Sequence, residues 1–368
     1  MELAVRRDIA DFARPAALAI EPYVWEAANH EIAARYGLRE RDVLRFDMNT
    51  APLPPPSLGA VLARAAEEPL VNEYFDGSYA AMAAAIADYT AYSPEHLVIG
   101  AGADEVIDVL TKTFIDPGDL VAIPSPTYSL YRICAQTMGA TIHALPATPD
   151  LQFDLDLIAD AARDAKVLFL CNPNNPTGSR IPAAQLAELV RRVPCLVIVD
   201  EAYAEFSGES LLPLVREQPR LIVVRTLSKA FALAGARIGF AVCAPETAGL
   251  ANRMRPPNSI SYISALLGEA ALRDLPAMRT TVAATIAQRR VLEAALAGMG
   301  LPVSPSVANF VLARWPGEGE ATAAHQRCLA RGMVLRSYPG HPLLRSYLRI
   351  TARTAEQNAA LIEVLGPG

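Results

Sequence analysis

Lys166-Val-Leu-Phe-Leu-Cys171 runs into Asn172-Pro173-Asn174-Asn175-Pro176-Thr177-Gly178, and Cys195-Leu-Val-Ile-Val199 runs into Asp200-Glu201-Ala202-Tyr203. In both places a short apolar run ends in a polar cluster, and the amphipathic stretch Pro182–Arg192 separates the two. Runs that are apolar throughout, rather than alternating, belong to strands covered on both faces. Strands separated by helix-length segments form mostly parallel sheets. The pattern extends outward through Leu97-Val98-Ile99, Leu120–Ile123, Leu221–Val224 and Ile238–Val242, with another amphipathic segment at Asp104–Ile115. The expected fold is therefore α/β, with helices on both faces of the sheet. Ligands in such sheets gather beyond the carboxyl ends of the strands, where the polar clusters lie.

The flanks read differently. Trp25 to Tyr36 carries a helical pattern, and Pro52-Leu-Pro54-Pro55-Pro56 is a semi-rigid connection by composition. Beyond about Leu250, helix-forming stretches at Ser264–Leu272 and Met278–Met299 precede strand-like runs at Asn309–Ala313 and Leu348–Thr351. This predicts a large domain over residues 46–250 and a small α+β domain in which residues 1–45 and 251–368 meet.

Composition narrows the function. A net charge of −6 and the lack of any Lys/Arg-rich run argue against nucleic acid as a partner. No apolar stretch is long enough to cross a bilayer, and the segment opening at Met1 lacks the apolar core of a signal peptide, so a cytoplasmic protein is expected. The five cysteines (Cys134, Cys171, Cys195, Cys243 and Cys328) are scattered and show no metal-ligand spacing, so no metal is expected. Cys171 and Cys195 lie in strand-like runs and read as small core residues in a reducing compartment.

Four strand-end clusters carry the chemistry. Cys171 to Gly178 fits a ligand-facing loop, although an Asn/Pro turn alone only links strand to helix. Asp200 and Glu201 place at least one carboxylate at a strand tip, suited to keep a heteroaromatic nitrogen protonated or simply to cap a helix. Arg225-Thr226-Leu227-Ser228-Lys229-Ala230, with Arg237 beyond it, offers a lysine among phosphate-binding side chains. A partly desolvated lysine is an imine-forming nucleophile, whereas an ordinary one is solvated. Gly100-Ala101-Gly102-Ala103-Asp104-Glu105 is a glycine turn into a helix, a natural phosphate seat but a common one. The clusters converge on one ligand, a phosphorylated aromatic aldehyde.

Together, Asn174-Asn-Pro-Thr-Gly178, Asp200-Glu-Ala-Tyr203 and Thr226-Leu-Ser-Lys-Ala-Phe-Ala-Leu-Ala-Gly-Ala-Arg237 resemble the class I and II pyridoxal-phosphate aminotransferases of fold type I. The last segment and Gly102-Ala103-Asp104-Glu105 look most like the histidinol-phosphate branch. That resemblance implies a seven-stranded sheet and pyridoxal 5′-phosphate as cofactor. It implies that Lys229 forms the imine and shuttles a proton, that Asp200 pairs with the ring nitrogen, and that Asn175 and Tyr203 bond the phenolic oxygen. Tyr128 would stack on the ring, while the backbone of Ala103 and Asp104, Ser228, Arg237 and the nearby Thr226 would hold the phosphate. Tyr74 matches a tyrosine that reaches across a homodimer interface to the neighbour's phosphate.

For the substrate, the resemblance implies that Arg349 binds a carboxylate or its equivalent, with Asn175 beside it, and that Arg336 and Tyr23, which follows Pro22, line the substrate-phosphate pocket. The implied reaction is a ping-pong transfer, through a pyridoxamine form, between an amino donor such as L-histidinol phosphate and a 2-oxo acid such as 2-oxoglutarate. Two positions depart from that branch: Asn49-Thr50-Ala51-Pro52 replaces its Asn-Glu-Asn-Pro run, and Phe75 replaces the proline after the interface tyrosine. An aromatic amino-acid aminotransferase or a decarboxylase of a phosphorylated amino acid uses the same scaffold. A non-catalytic cofactor-binding module would not need lysine, aspartate and arginine together. A nicotinamide dehydrogenase would need a Gly-x-Gly-x-x-Gly turn that residues 100–105 do not supply.

Overall fold

The computed structural model describes residues 8–21, 23, 25–67, 72–74 and 76–366; Pro22 and Phe75 lie outside them. Seven strands form the central sheet: β1 (Leu97–Gly100), β2 (Leu120–Ser125), β3 (Thr141–Pro146), β4 (Val167–Cys171), β5 (Leu196–Asp200), β6 (Leu221–Thr226) and β7 (Gly239–Val242). Their order is β1-β7-β6-β5-β4-β2-β3. Only β7 runs antiparallel to its neighbours. The mostly parallel α/β sheet expected from the sequence is therefore present. Of its strands, β3 alone falls outside the apolar runs. It is an edge strand with residues exposed along much of its length, so it never needed a continuous apolar sequence.

Alternation along the central strands sends odd and even positions to opposite faces. Leu168, Leu170, Val197, Val199, Leu221 and Val223 bury in one core. Val167, Phe169, Ile198, Ile222 and Val224 bury in the other, under the helix Gly102–Phe114. The same parity sends the adjacent acids Asp200 and Glu201 to opposite faces.

A second, antiparallel sheet contains β8 (Val303–Ser304), β9 (Phe310–Arg314), β10 (Arg336–Ser337) and β11 (Tyr347–Thr351), in the order β10-β11-β9-β8. The N-terminal segment joins this part of the chain: Leu44–Arg45 pairs in parallel with Met333–Val334, and Ile32 and Val43 bury with Leu329 and Val334.

Two expectations need correction. The N-terminal helix begins at Asn29 rather than Trp25, because the Ala28 N–H donates to the Glu31 side chain at 2.7 Å and closes the first turn there. The break between cores does not fall at residue 250. Ile260, Tyr262, Leu266, Leu272 and Val282 bury in the large-sheet core, while Leu292 and Leu296 bury with the small sheet. The long helix Leu275–Gly298 thus spans both cores.

Candidate active site

A cavity of about 650 Å³ opens at the carboxyl ends of β4, β5 and β6 and extends to the second sheet and the N-terminal segment. Asp200 and Lys229 lie on its wall, with Asn175, Tyr203, Thr226 and Ser228. Ala103, Asp104, Tyr128 and Arg237 line one end, and Tyr23, Arg336 and Arg349 line another part. Tyr74 is the predicted residue left out: it is 92% exposed on this chain.

Asp200 ends β5 on the face of Ile198, so it looks into the cavity; Glu201, one residue on, looks the other way. The Asp200 carboxylate accepts from the Tyr131 hydroxyl at 2.7 Å and from the Ala202 N–H at 3.0 Å. Burial pushes it up to about 6, against the pull of those two bonds. Glu201 instead accepts from the Leu211 N–H at 2.6 Å and pairs with Arg225 at 2.9 Å. The acid that sequence alone could not choose is chosen by strand parity.

Lys229 sits in the loop after β6, its Nζ 3.4 Å from the Met48 carbonyl oxygen and 5.9 Å from the centre of the Tyr203 ring. Burial, and then the charge of Arg349, push its amine down to about 8. Beside it, the Ser228 N–H donates to Thr226 Oγ1 at 3.1 Å, and the two hydroxyl oxygens lie 2.9 Å apart. Arg237 meets Asp104 at 3.0 Å, and the Tyr128 hydroxyl donates to the same carboxylate at 3.2 Å. This end is closely built on glycine. A Cβ at Gly239 would lie 2.2 Å from the Ala103 nitrogen, and one at Gly102, whose φ is +85°, would lie 2.4 Å from Arg237 Nη2. The helix start therefore packs directly on β7, with Arg237 and two hydroxyls around it, an arrangement suited to a phosphate.

The loop after β4 divides its adjacent asparagines, Asn174 and Asn175. Asn174 Nδ2 donates to the Pro126 carbonyl at 3.0 Å and its Oδ1 accepts from Thr127 at 2.8 Å, so it clamps loops together. Asn175 faces the cavity, where its Oδ1 accepts from Arg349 Nη1; Arg349 Nη2 donates to the Asp47 carbonyl oxygen. Gly178 (φ +74°) docks the loop's far end, since a Cβ there would lie 2.2 Å from Ser306 Oγ. Arg336 and Arg349 are direct partners across β10 and β11, which aims both side chains to one face of the small sheet. The Arg336 guanidinium lies 5.7 Å from the Tyr23 ring centre and 5.8 Å from that of Tyr338.

Asn49, Tyr131 and Cys171 are among the cavity residues not named as site residues from the sequence. Asn49 Nδ2 donates to the Tyr203 hydroxyl oxygen at 3.0 Å, while its Oδ1 accepts from Thr351 at 3.1 Å. Its sequence signal was its place at the head of the run Asn49-Thr50-Ala51-Pro52, and in the structure its backbone is left-handed, with φ +53°, which asparagine tolerates. Tyr131 is a buried aromatic on the helix Leu130–Thr137. Cys171 is only partly buried and borders the cavity rather than the core alone, while the other four cysteines are buried.

The residues fit pyridoxal phosphate. A buried carboxylate with only neutral hydrogen-bond donors calls for a cationic ring nitrogen, the glycine-built end suits the phosphate, and the lysine of lowered basicity lies between. Comparison with known proteins agrees. Residues 41–365 match the family profile described as aminotransferase class I and II. The histidinol-phosphate aminotransferase of Roseiflexus castenholzii is 36% identical over 359 residues, covering 96% of each chain. That of Methanopyrus kandleri is 35% identical, over 96% of this chain and 95% of its own. The crystal structure of histidinol-phosphate aminotransferase from Sinorhizobium meliloti in complex with pyridoxal-5′-phosphate superposes with a TM-score of 0.87 at 26% identity, covering 95% of both chains.

Proposed function

The chain belongs to the class I and II aminotransferases, with pyridoxal 5′-phosphate as cofactor and transamination as its reaction, and from that premise we propose that it moves the amino group of L-histidinol phosphate to 2-oxoglutarate. The observation that carries the substrate reading is the cross-strand pair Arg336 and Arg349 on the cavity wall. Like charges directly opposite on neighbouring strands repel, so an anion lying between or beside them relieves that repulsion. A phosphate ester meets both cations in the donor half of the cycle, and a dicarboxylate meets both in the acceptor half.

When bound, pyridoxal phosphate supplies a conjugated ring that takes up the electrons left as the donor's Cα loses its proton. In our reading Asp200 keeps a proton on the ring nitrogen, and Thr226, Ser228, Arg237 and the backbone at Ala103 and Asp104 hold the phosphate. Asn49 occupies a lone pair of the Tyr203 oxygen, which turns the Tyr203 hydroxyl proton toward the cavity and the cofactor's phenolic oxygen. Asn175 orients Arg349 and faces that oxygen with its amide. Lys229, with its amine down at about 8, gives up its proton far more readily than an ordinary lysine and acts first as nucleophile, then as the base that moves the Cα proton. Tyr128 covers the ring, and Tyr23 and Tyr338 bracket the Arg336 guanidinium.

The test is glutamate formation from 2-oxoglutarate with L-histidinol phosphate, L-histidinol or phenylalanine as donor. The phosphorylated donor is expected to lead in kcat/KM by at least about tenfold, the worth of one charge-assisted bond. Equal turnover of phenylalanine would point to an aromatic aminotransferase, and carbon dioxide release without glutamate to a decarboxylase.

The same reading makes the protein a cytoplasmic homodimer. Tyr74, exposed here and outside the cavity, would complete the partner's phosphate site. Among the described residues no helix is long and apolar enough to cross a membrane. Sedimentation at micromolar concentration tests the dimer, and Tyr74→Phe is expected to weaken cofactor binding several-fold.

A further inference from the structure

We propose that Tyr131 is a positioning residue for the cofactor, its hydroxyl holding the Asp200 carboxylate oriented and ionised toward the ring nitrogen of pyridoxal phosphate. The inference rests on the reading of Asp200 as that nitrogen's partner.

Tyr131 belongs to the helix Leu130–Thr137 and is 0% exposed. Its ring stacks on Phe169 of β4, with centres 5.3 Å apart and planes at 7°. The Tyr128 ring meets it edge-on at 5.7 Å. With the ring held between two others, the hydroxyl ends 2.7 Å from Asp200 Oδ2 and also meets the Cys171 thiol. The other carboxylate oxygen is fixed by the Ala202 N–H at 3.0 Å. Both donors are neutral, so neither competes as a counter-ion with a cationic ligand. Both nevertheless favour the ionised acid, since a proton on Asp200 would cost them an acceptor.

Burial opposes them, and the balance leaves Asp200 at about 6. Asp104 pushes in the same direction as burial, and Lys229 against it. Cys171 and Tyr203 also face this group, and burial pushes both of them up, so they stay protonated near neutrality. Burial and the Asp200 charge raise Tyr131 well above its ordinary range, so it remains a donor. Without its hydroxyl, burial prevails at Asp200, and a protonated acid cannot hold a proton on the ring nitrogen.

The experiment measures the pyridoxal-phosphate dissociation constant of the full-length protein from pH 5 to 9 by equilibrium dialysis. It compares wild type, Tyr131→Phe, Asp200→Asn and the double variant. Tyr131→Phe is expected to lose about tenfold in affinity at pH 7, and the pH below which affinity falls is expected to move up by about one unit. In the Asp200→Asn background the same change is expected to cost less than about twofold, because no charge remains to be held. If Asp200→Asn alone leaves affinity and its pH profile unchanged, the reading of Asp200 fails. If Asp200→Asn weakens binding while Tyr131→Phe does not, or if Tyr131→Phe costs the same in both backgrounds, the role of Tyr131 is overturned. A Tyr131→Phe protein that folds only together with Asp200→Asn supports action through the carboxylate charge. Unfolding of both makes Tyr131 a packing residue and overturns the proposal.

Discussion

Charged residues near the ends of β5 and β6 meet opposite electrostatic surroundings. On the cavity face, Asp200 has two neutral donors and sits at about 6, while Lys229 is held down at about 8. On the opposite face, Arg225 bridges Glu201 at 2.9 Å and Glu205 at 2.8 Å, and the Ser210 hydroxyl donates to Glu201 at 2.7 Å. Burial works against the Arg225 charge, but its two carboxylate partners outweigh it and raise its pKa. The second cluster pairs its own charges and links the sheet to its neighbouring loops, although Glu205 Oε2 is buried there without a hydrogen-bond partner. The first is left short of counter-charges that only a ligand supplies. Burial alone therefore does not mark a site; burial without a matching partner does.

The sharpest way to break this contrast is Lys229→Ala. It is expected to abolish amino transfer with every donor, measured as glutamate formation, and to remove the bound cofactor's visible absorbance. The cofactor-free variant should melt no lower than wild type, because a lysine with a depressed pKa costs stability at neutral pH. Retained turnover would sink the assignment.

On the opposite face, Arg225→Met leaves Glu201 and Glu205 buried without their cation. Denaturant unfolding is expected to show a loss of about 3–5 kcal/mol. The cofactor affinity of the folded fraction should change little. A variant as stable as wild type would mean that the two carboxylates do not depend on Arg225.

A smaller effect of opposite sign is expected for Asp200→Asn. Asp200 is raised to about 6 from an ordinary 3.8, so between those values the folded state binds the proton that the unfolded state has released. This group thus makes the cofactor-free protein more stable as pH falls from about 7 toward 4. Asp200→Asn should gain ~2 kcal/mol at pH 7.5, with the gain shrinking toward pH 4. Thermal melts across that range check both the sign and the window.

The smallest change expected is at the far wall. Arg336→Ala should lower kcat/KM for L-histidinol phosphate by roughly 1.5 kcal/mol, about tenfold, and leave unphosphorylated donors nearly unaffected. If the phosphorylated donor turns over equally well, Arg336 does not serve its phosphate.

Much of this was legible in advance because local chemistry and strand order agree. Asn175, Asp200, Ser228 and Lys229 each follow a strand-like run, and parallel strands bring their carboxyl ends together. β3 was missed because an edge strand carries a weak apolar signal. Asn49 and Tyr131 were missed because each acts through a neighbour, Tyr203 and Asp200, rather than by a side-chain type that marks chemistry. Tyr74 stands apart, since its implied role needs a second chain.

The amino-acid sequence by itself determined the α/β architecture and the polar strand ends, because apolar continuity and turn chemistry are local properties. Tertiary structure decided which acid faces the cavity, that Arg336 lies opposite Arg349, and that Asn49 reaches Tyr203 across 154 residues and Asn175 meets Arg349 across 174. Contacts over such separations depend on how the two sheets and the N-terminal segment pack, and no local propensity encodes that packing.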